Sequence, residues 1–298
     1  MMLKGVHFIL SYTCNSECDH CFVYSGPTVK GTFTLRQVKA AIEEMKRIES
    51  VEWVYFEGGE PFMFYPLMVE GLRLARDAGF KLGIVTNSYW ATTEENAELW
   101  LKPLLELGVS DLSVSDDAFH YENEENPSKN ALRAAKRLGI PVGTIRINMP
   151  TKLEMLINKG RPILRGGALL KGRAAETLAE KLPKRRYDRF TECTAENLRE
   201  PGRVHIDPYG NVQVCQGISI GNMWETPLST LDAEYDPERH PIIGPLLEGG
   251  PVLLAKRYGV KHEKGYASEC HFCYMVRLAL LDRFPRHLAP RQVYGSEG

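Results

Sequence analysis

Seven cysteines fall into two sets far apart along the chain: Cys14, Cys18 and Cys21 near the start, and Cys193, Cys215, Cys270 and Cys273 towards the end. A fold in which each set serves as ligands must gather that set to a point. No apolar run approaches the ~20 residues of a spanning helix, and the N-terminus lacks the basic start, apolar run and cleavage site of a secretory signal. The expected location is therefore cytoplasmic, with no membrane partner. In a reducing compartment, clustered cysteines read as metal ligands or nucleophiles rather than disulfide partners. A formal net charge of -1 removes the basic field that draws proteins to nucleic acid, and 43% hydrophobic residues supply a sizeable core.

The first half alternates short β-rich runs with helical patterns, the signal for βαβ units around a mostly parallel sheet. Strands are predicted over residues 5–12, 51–56, 81–86, 112–115 and 141–147, with a sixth around 163–170. Thr34 and Gln37 form a capping box for a helix to about Ile48. A helix over residues 63–78 ends at Gly79, Thr92 and Glu95 cap one that stops near Gly108, and Ser128 caps one to about Gly139. Five or six such units are too few for a closed barrel of about 250 residues, so the fold class is α/β with a partial (β/α)6 barrel. After about Lys184 the pattern changes. Residues 203–207 and 211–215 flank Pro208-Tyr209-Gly210 as a hairpin, 241–259 reads as a broken helix and 275–284 as a last helix. The expected division is residues 1–184 for the barrel and 185–298 for a smaller unit of hairpin plus helix.

Three cysteines spaced by four and three residues directly after the first strand can converge on one centre, because a loop leaving a strand end can wrap it. Thiolates suit zinc or iron–sulfur clusters. A zinc site would close with a fourth protein ligand, for which His20 is the local candidate, whereas a cubane on three cysteines keeps one iron open. Spacing alone leaves both readings standing.

The run Cys14-Asn15-Ser16-Glu17-Cys18-Asp19-His20-Cys21, with Gly58-Gly59-Glu60-Pro61 at the end of the second strand, resembles the radical S-adenosylmethionine (SAM) superfamily. The resemblance implies that Cys14, Cys18 and Cys21 hold a 4Fe-4S cluster whose open iron is chelated by the amino and carboxylate groups of SAM. It sets Gly58, Gly59, Glu60 and Pro61 against the methionine amino group, where glycines let the backbone approach and a carboxylate suits an ammonium. It also implies SAM contacts at Asn87, Ser115 and Asp116, with Lys129 or Arg146 for the SAM carboxylate. His20 is then a backbone contact or a packing residue rather than a ligand.

The second set would read as a structural zinc ribbon in an isolated domain. Behind such a barrel, Cys193, Cys215 on the hairpin and Cys270-His271-Phe272-Cys273 resemble the twitch domain, the shortened SPASM extension, which binds one auxiliary 4Fe-4S cluster. Gly172-Arg173-Ala174 and Gly221-Asn222 fit relatives with extra clusters. Four thiolates leave no iron free for substrate, so the implied role is electron acceptor, relay or structural staple.

The resemblance therefore implies a radical SAM oxidoreductase, dehydrogenase-like or peptide-modifying. Flavodoxin or ferredoxin supplies an electron, and SAM is cleaved to methionine and a 5'-deoxyadenosyl radical. Hydrogen is taken from a small-molecule or peptide substrate, a base takes a proton, and the auxiliary cluster takes an electron. Candidate catalytic residues are Asp117, His120, Arg146 and Arg165, each with a plainer reading as a cap, a solvated histidine or a solvated ion pair. Trp53 and Tyr55 share a strand face and read as barrel packing. With every cysteine assigned, none remains as a hydrogen donor of the epimerase kind. The early first strand leaves no expected leader-binding module ahead of the barrel, which favours a small molecule or a partner-presented peptide. A peptide maturase forming a crosslink or other modification is the alternative. A non-enzymatic zinc or iron–sulfur binding module is the alternative from another class.

Overall fold

The computed structural model describes residues 1–150 and 167–296. Along the first part run β1 (Gly5–Ser11), α1 (Leu35–Met45), β2 (Trp53–Gly58), α2 (Tyr65–Asp77), β3 (Lys81–Thr86), α3 (Glu94–Glu106), β4 (Asp111–Ser115), α4 (Pro127–Leu138) and β5 (Val142–Ile145). Then follow α5 (Arg173–Thr177), β6 (Arg185–Arg186), β7 (Arg203–Ile206), β8 (Asn211–Cys215), β9 (Ile218–Asn222), α6 (Leu228–Ala233), α7 (Ile243–Tyr258), β10 (Gly265–Tyr266) and α8 (Glu269–Ala279). Strands β1 to β5 are parallel, in the order β5-β4-β3-β2-β1, as repeated βαβ units dictate. Half of the expected sixth strand, residues 163–166, lies outside the described residues, and residues 167–170 form no strand beyond a single bridge residue. The chain re-enters with an isolated parallel bridge between Asn148 and Gly167.

Side chains alternate across β1 and β2, and each face has its own task. Val6, Phe8, Leu10, Val54 and Phe56 are buried in one core with Val38, Ala41, Ile42 and Met45 of α1 and Met68 and Leu72 of α2. The Phe8 and Phe56 rings stack at 4.9 Å. A Cβ on Gly71 would stand 2.6 Å from the Phe56 ring, so only glycine lets α2 lie this close to the sheet. His7, Tyr55 and Glu57 occupy the alternate positions of the same strands.

The hairpin β7–β8 forms as expected, with Gly210 at φ 92 in its turn. Its placement is the surprise: β7 pairs in parallel with the free edge of β1, His205 opposite His7, and β8 and β9 extend that edge antiparallel. One eight-stranded mixed sheet therefore runs through both halves of the chain, and the division after residue 184 cuts the sequence without cutting the sheet. The fold is α/β.

Local signals place some caps and miss others. Thr34 and Gln37 make the expected capping box. The cap of α3 is Thr93 rather than Thr92, which accepts from the Asn96 side chain instead. The cap of α4 is Asn126, two residues before Ser128, because its side chain accepts from both Ser128 N and Lys129 N while the Ser128 hydroxyl donates to Ser115 O. The last helix starts at Glu269 behind the Ser268 cap, not at Met275, so Cys270 and Cys273 sit one turn apart on α8. Among the described residues, no helix is long and apolar enough to cross a membrane.

Candidate active site

The loops leaving the C-terminal ends of β1 to β4 surround a cavity of about 280 Å³, at the edge where parallel α/β sheets receive ligands. Cys14, Cys18 and Cys21 line it, together with Gly58, Gly59, Asn87, Ser115 and His120. Donors approach two of the sulfurs: Ser16 N stands 3.4 Å from Cys14 Sγ, Ser25 N 3.3 Å from Cys21 Sγ, and Asn87 Nδ2 3.7 Å from Cys14 Sγ. Such dipoles stabilise thiolates bound to a cationic centre. Burial pushes the Cys14 thiol up to about 12 and raises Cys21 as well.

All seven cysteines are free thiols. Among the described residues, the sets of three or more donor atoms within 4.8 Å of one another are His7–Glu57–His205 and His20–Asp117–His120, and neither contains a cysteine sulfur. A tetrahedral zinc with bonds of about 2.3 Å would draw its sulfurs closer than that. Cys14, Cys18, Cys21 and His20 all line this cavity, and among the described residues no cysteine sulfur belongs to a set of three donor atoms within 4.8 Å of one another.

Gly58 and Gly59 dock the end of β2 onto the cysteine loop. Gly59 N donates to Ser11 O at 2.6 Å and Glu60 N to Thr13 O at 3.1 Å. A Cβ on Gly59 would lie 2.0 Å from Thr13 O, and Gly58 has φ +124. Glu60 is fully buried and lies off the cavity lining. Its carboxylate accepts from Phe62 N at 3.0 Å, Thr86 Oγ1 at 2.8 Å and Asn87 N at 2.7 Å, tying β2 to β3. Burial pushes its carboxyl up to about 7 against those donors. Pro61 opens the short turn into α2. Asn87 also donates to Asn15 Oδ1 at 2.8 Å, so it braces the loop that carries the cysteines.

The structure brings both candidate cations, Lys129 and Arg146, to one carboxylate. Lys129 Nζ stands 2.6 Å and Arg146 Nη2 2.5 Å from Asp116 Oδ2. Burial alone would raise the Asp116 carboxyl, but these hydrogen bonds hold it below its ordinary value. Two cations on one anion leave positive charge to spare beside Ser115.

Asp117 accepts from Phe119 N, from Ile147 N and, at 2.8 Å, from His120 Nδ1. Burial disfavours the His120 imidazolium, yet Asp117 and the Cys18 sulfur push its pKa up to about 10. The His20 ring packs on Phe119 at 4.3 Å, and burial, with His120 beside it, pulls its pKa down to about 4. Arg165 lies outside the described residues.

The second set also converges. Cys193, Cys215 at the end of β8, and Cys270 and Cys273 on α8 line one cavity with Lys171 and Arg277. Arg277 is 2% exposed and donates to Gln216 O and to the Tyr294 hydroxyl.

Residues 8–154 match the model of the Radical SAM superfamily. The chain carries a radical SAM domain. That membership implies SAM and a 4Fe-4S cluster, for which the trio of sulfurs on the cavity fits. Among curated relatives, the chain is 24% identical over 159 residues to "Putative peptide biosynthesis protein YydG" of Bacillus subtilis (strain 168), covering 53% of this chain and 49% of that one. It is 42% identical over 52 residues to "Mycofactocin maturase MftC" of Mycobacterium tuberculosis, covering 17% and 13%. The chain thus spans about half or less of the length of these relatives. Among solved structures it resembles BtrN in complex with AdoMet and 2-DOIA, with a TM-score of 0.52 and 16% identity over 77% of this chain and 81% of that one, a likeness of fold.

Within the radical SAM domain one group escapes sequence reasoning. Glu57 lines the cavity, and its two oxygens meet His7 Nδ1 and His205 Nε2, each at 3.1 Å. Burial would raise the Glu57 carboxyl, but the two imidazoles hold it well below the usual range. His7 also stacks on Tyr55 at 4.5 Å, whose hydroxyl donates to Asp111. The alternation that puts Trp53 and Tyr55 on one face puts Glu57 there too, which was the available signal. The pairing of β7 with β1 that delivers His205 had none.

Proposed function

We propose that this radical SAM protein is an oxidoreductase that cleaves SAM to a 5'-deoxyadenosyl radical, abstracts hydrogen from a small-molecule or peptide substrate, and oxidises it with an auxiliary 4Fe-4S cluster as electron acceptor. The observation that carries the reading is the convergence of four thiolates from three separate segments on one cavity that also receives two buried cations. A thiolate set with compensating charge suits a redox cluster.

The chain's own residues prepare both sites. Cys14, Cys18 and Cys21 present their sulfurs from one side of the cavity, with Ser16 N, Ser25 N and Asn87 Nδ2 directed at two of them. The surplus charge of Lys129 and Arg146 beside Ser115 suits the carboxylate of a methionine moiety. His120, oriented by Asp117, holds a proton in the cavity, and Glu57, oriented by His7 and His205, presents a carboxylate to it. Residues 1–184 form the barrel portion and 185–298 the auxiliary portion of this reading. A flavodoxin or ferredoxin is the fitting electron source, and free thiols at both sites suit a reducing cytoplasm.

A second reading, peptide maturation, rests on the similarity to proteins named for peptide biosynthesis and mycofactocin maturation. The two readings share the cavity and the clusters and differ in what enters.

Anaerobic reconstitution tests the common core. About eight irons per chain are expected from two cubanes. Replacing Cys193, Cys215, Cys270 and Cys273 by Ala should remove about half of that iron while 5'-deoxyadenosine is still released under dithionite. Zinc in the second site ends the redox reading.

A further inference from the structure

Lys171 is 3% exposed, and lysine is almost never fully buried without a partner. Its Nζ stands 3.6 Å from Cys215 Sγ and donates to Gln216 Oε1. The Glu196 carboxylate is 3.9 Å away and is shared with Arg203 at 3.4 Å, so the ammonium faces the sulfur more closely than any acid recorded beside it.

The two following residues hold it there. Gly172 has φ +60, and a Cβ on it would stand 2.6 Å from Cys21 O. Arg173 N donates to Cys21 O at 2.9 Å, and its guanidinium donates to Cys18 O at 2.9 Å and Ser25 O at 2.7 Å. The loop of the first cysteine set thus anchors a strap whose preceding side chain enters the second thiolate cavity.

We propose that Lys171 sets the reduction potential of the auxiliary cluster by placing its ammonium against the Cys215 sulfur. This rests on the reading of Cys193, Cys215, Cys270 and Cys273 as that cluster's ligands. A cluster gains one negative charge on reduction, so a fixed cation in a low-dielectric cavity stabilises the reduced state more than the oxidised one, and an N–H donor to sulfur acts in the same direction. Glu192 and Glu269 also line the cavity; Glu192 is exposed, and Glu269 Oε1 is paired with Arg185 at 2.9 Å, so Lys171 remains the cation nearest the Cys215 sulfur. Arg277 contributes a second buried cation, with its Nη1 engaged by Gln216 O and the Tyr294 hydroxyl.

The test is an EPR-monitored redox titration of the reconstituted holoenzyme as wild type, Lys171→Met and Lys171→Arg. The same three are repeated with Cys14, Cys18 and Cys21 replaced by Ala, so that only the second cluster reports. Lys171→Met should move the second midpoint to a more negative potential, Lys171→Arg should stay near wild type, and the first cluster's midpoint should not move. If Lys171→Met blocks assembly, Lys171→Gln, which keeps a donor without the charge, is read by the same standard. Coincident midpoints with unchanged iron and line shape overturn the proposal alone. A wild-type chain with about four irons, whose single EPR signal vanishes when Cys14, Cys18 and Cys21 are removed, overturns the auxiliary reading and the proposal with it.

Discussion

The Tyr12 hydroxyl donates a hydrogen bond of 3.0 Å to Asp207 Oδ2, joining the strand that delivers Cys14 to the hairpin that delivers Cys215. Asp207 is fully buried and has no cation beside it among its recorded partners. It also accepts from Tyr209 N, Asn211 N, Asn211 Nδ2 and Gln213 Nε2. Burial pushes its carboxyl up to about 6 despite these donors. The link is therefore a neutral donor on a costly anion, and its loss is felt by both portions of the chain.

Tyr12→Phe removes one donor and leaves the packing. It should cost about 1–2 kcal/mol, a fall of a few degrees in the thermal midpoint of the apoprotein. Asp207→Ala, which orphans several donors at once, should cost more. Equal midpoints for wild type and Tyr12→Phe would mean the bond carries nothing.

Gly59→Ala drives a methyl into Thr13 O and should destabilise by roughly 1–3 kcal/mol or shift the cysteine loop. The shift is read by iron analysis: the first cluster should be lost while the second is retained. Full retention of both clusters would show that the loop tolerates the clash.

Lys129 and Arg146 share Asp116 but differ in exposure, with side chains 27% and 61% accessible. The less exposed charge is the less screened. Lys129→Ala should weaken SAM binding by about tenfold, equivalent to about 1.4 kcal/mol, and Arg146→Ala by less, measured by anaerobic calorimetry. The reverse order would reassign the carboxylate contact to Arg146.

His240 is a test of pH dependence away from both cysteine sets. Its Nδ1 accepts from Ile242 N and Ile243 N, its Nε2 donates to Ser219 O, and burial lowers its pKa to about 4. His287 packs edge-on at 4.8 Å and adds repulsion when charged. The unfolded chain binds this proton more readily, so the contribution of His240 is complete above pH 6.5 and is lost as pH falls towards 4. Relative to His240→Asn, wild type should lose on the order of 2 kcal/mol between pH 7 and 4.5 in urea unfolding. A pH-independent difference would contradict the buried neutral imidazole.

What the sequence makes legible follows the range of the interactions. The capping box of Thr34 and Gln37 and the turn at Gly210 are decided within a few residues, and both are where local chemistry puts them. Asn126 defeats the reading at Ser128 because the competition among neighbouring capping side chains is settled by Ser115 O, a tertiary partner. Cys270 and Cys273 stand out by spacing as candidate ligands, yet their helix does not, since an N-cap at Ser268 competes with the look of a metal loop. Glu57 and Lys171 owe their surroundings to strands and segments that meet only in the folded chain. Glu60 shows the same limit from the other side: the motif is visible, but its carboxylate serves the chain's own amides.

The central claim is that Cys14, Cys18 and Cys21 hold a cluster that engages SAM. The most direct measurement is 5'-deoxyadenosine formed by the anaerobically reconstituted protein with SAM and dithionite, compared with Cys14→Ala. The account predicts release by wild type and none by the variant. Equal yields from the two, or zinc in place of iron at the wild-type site, would contradict it.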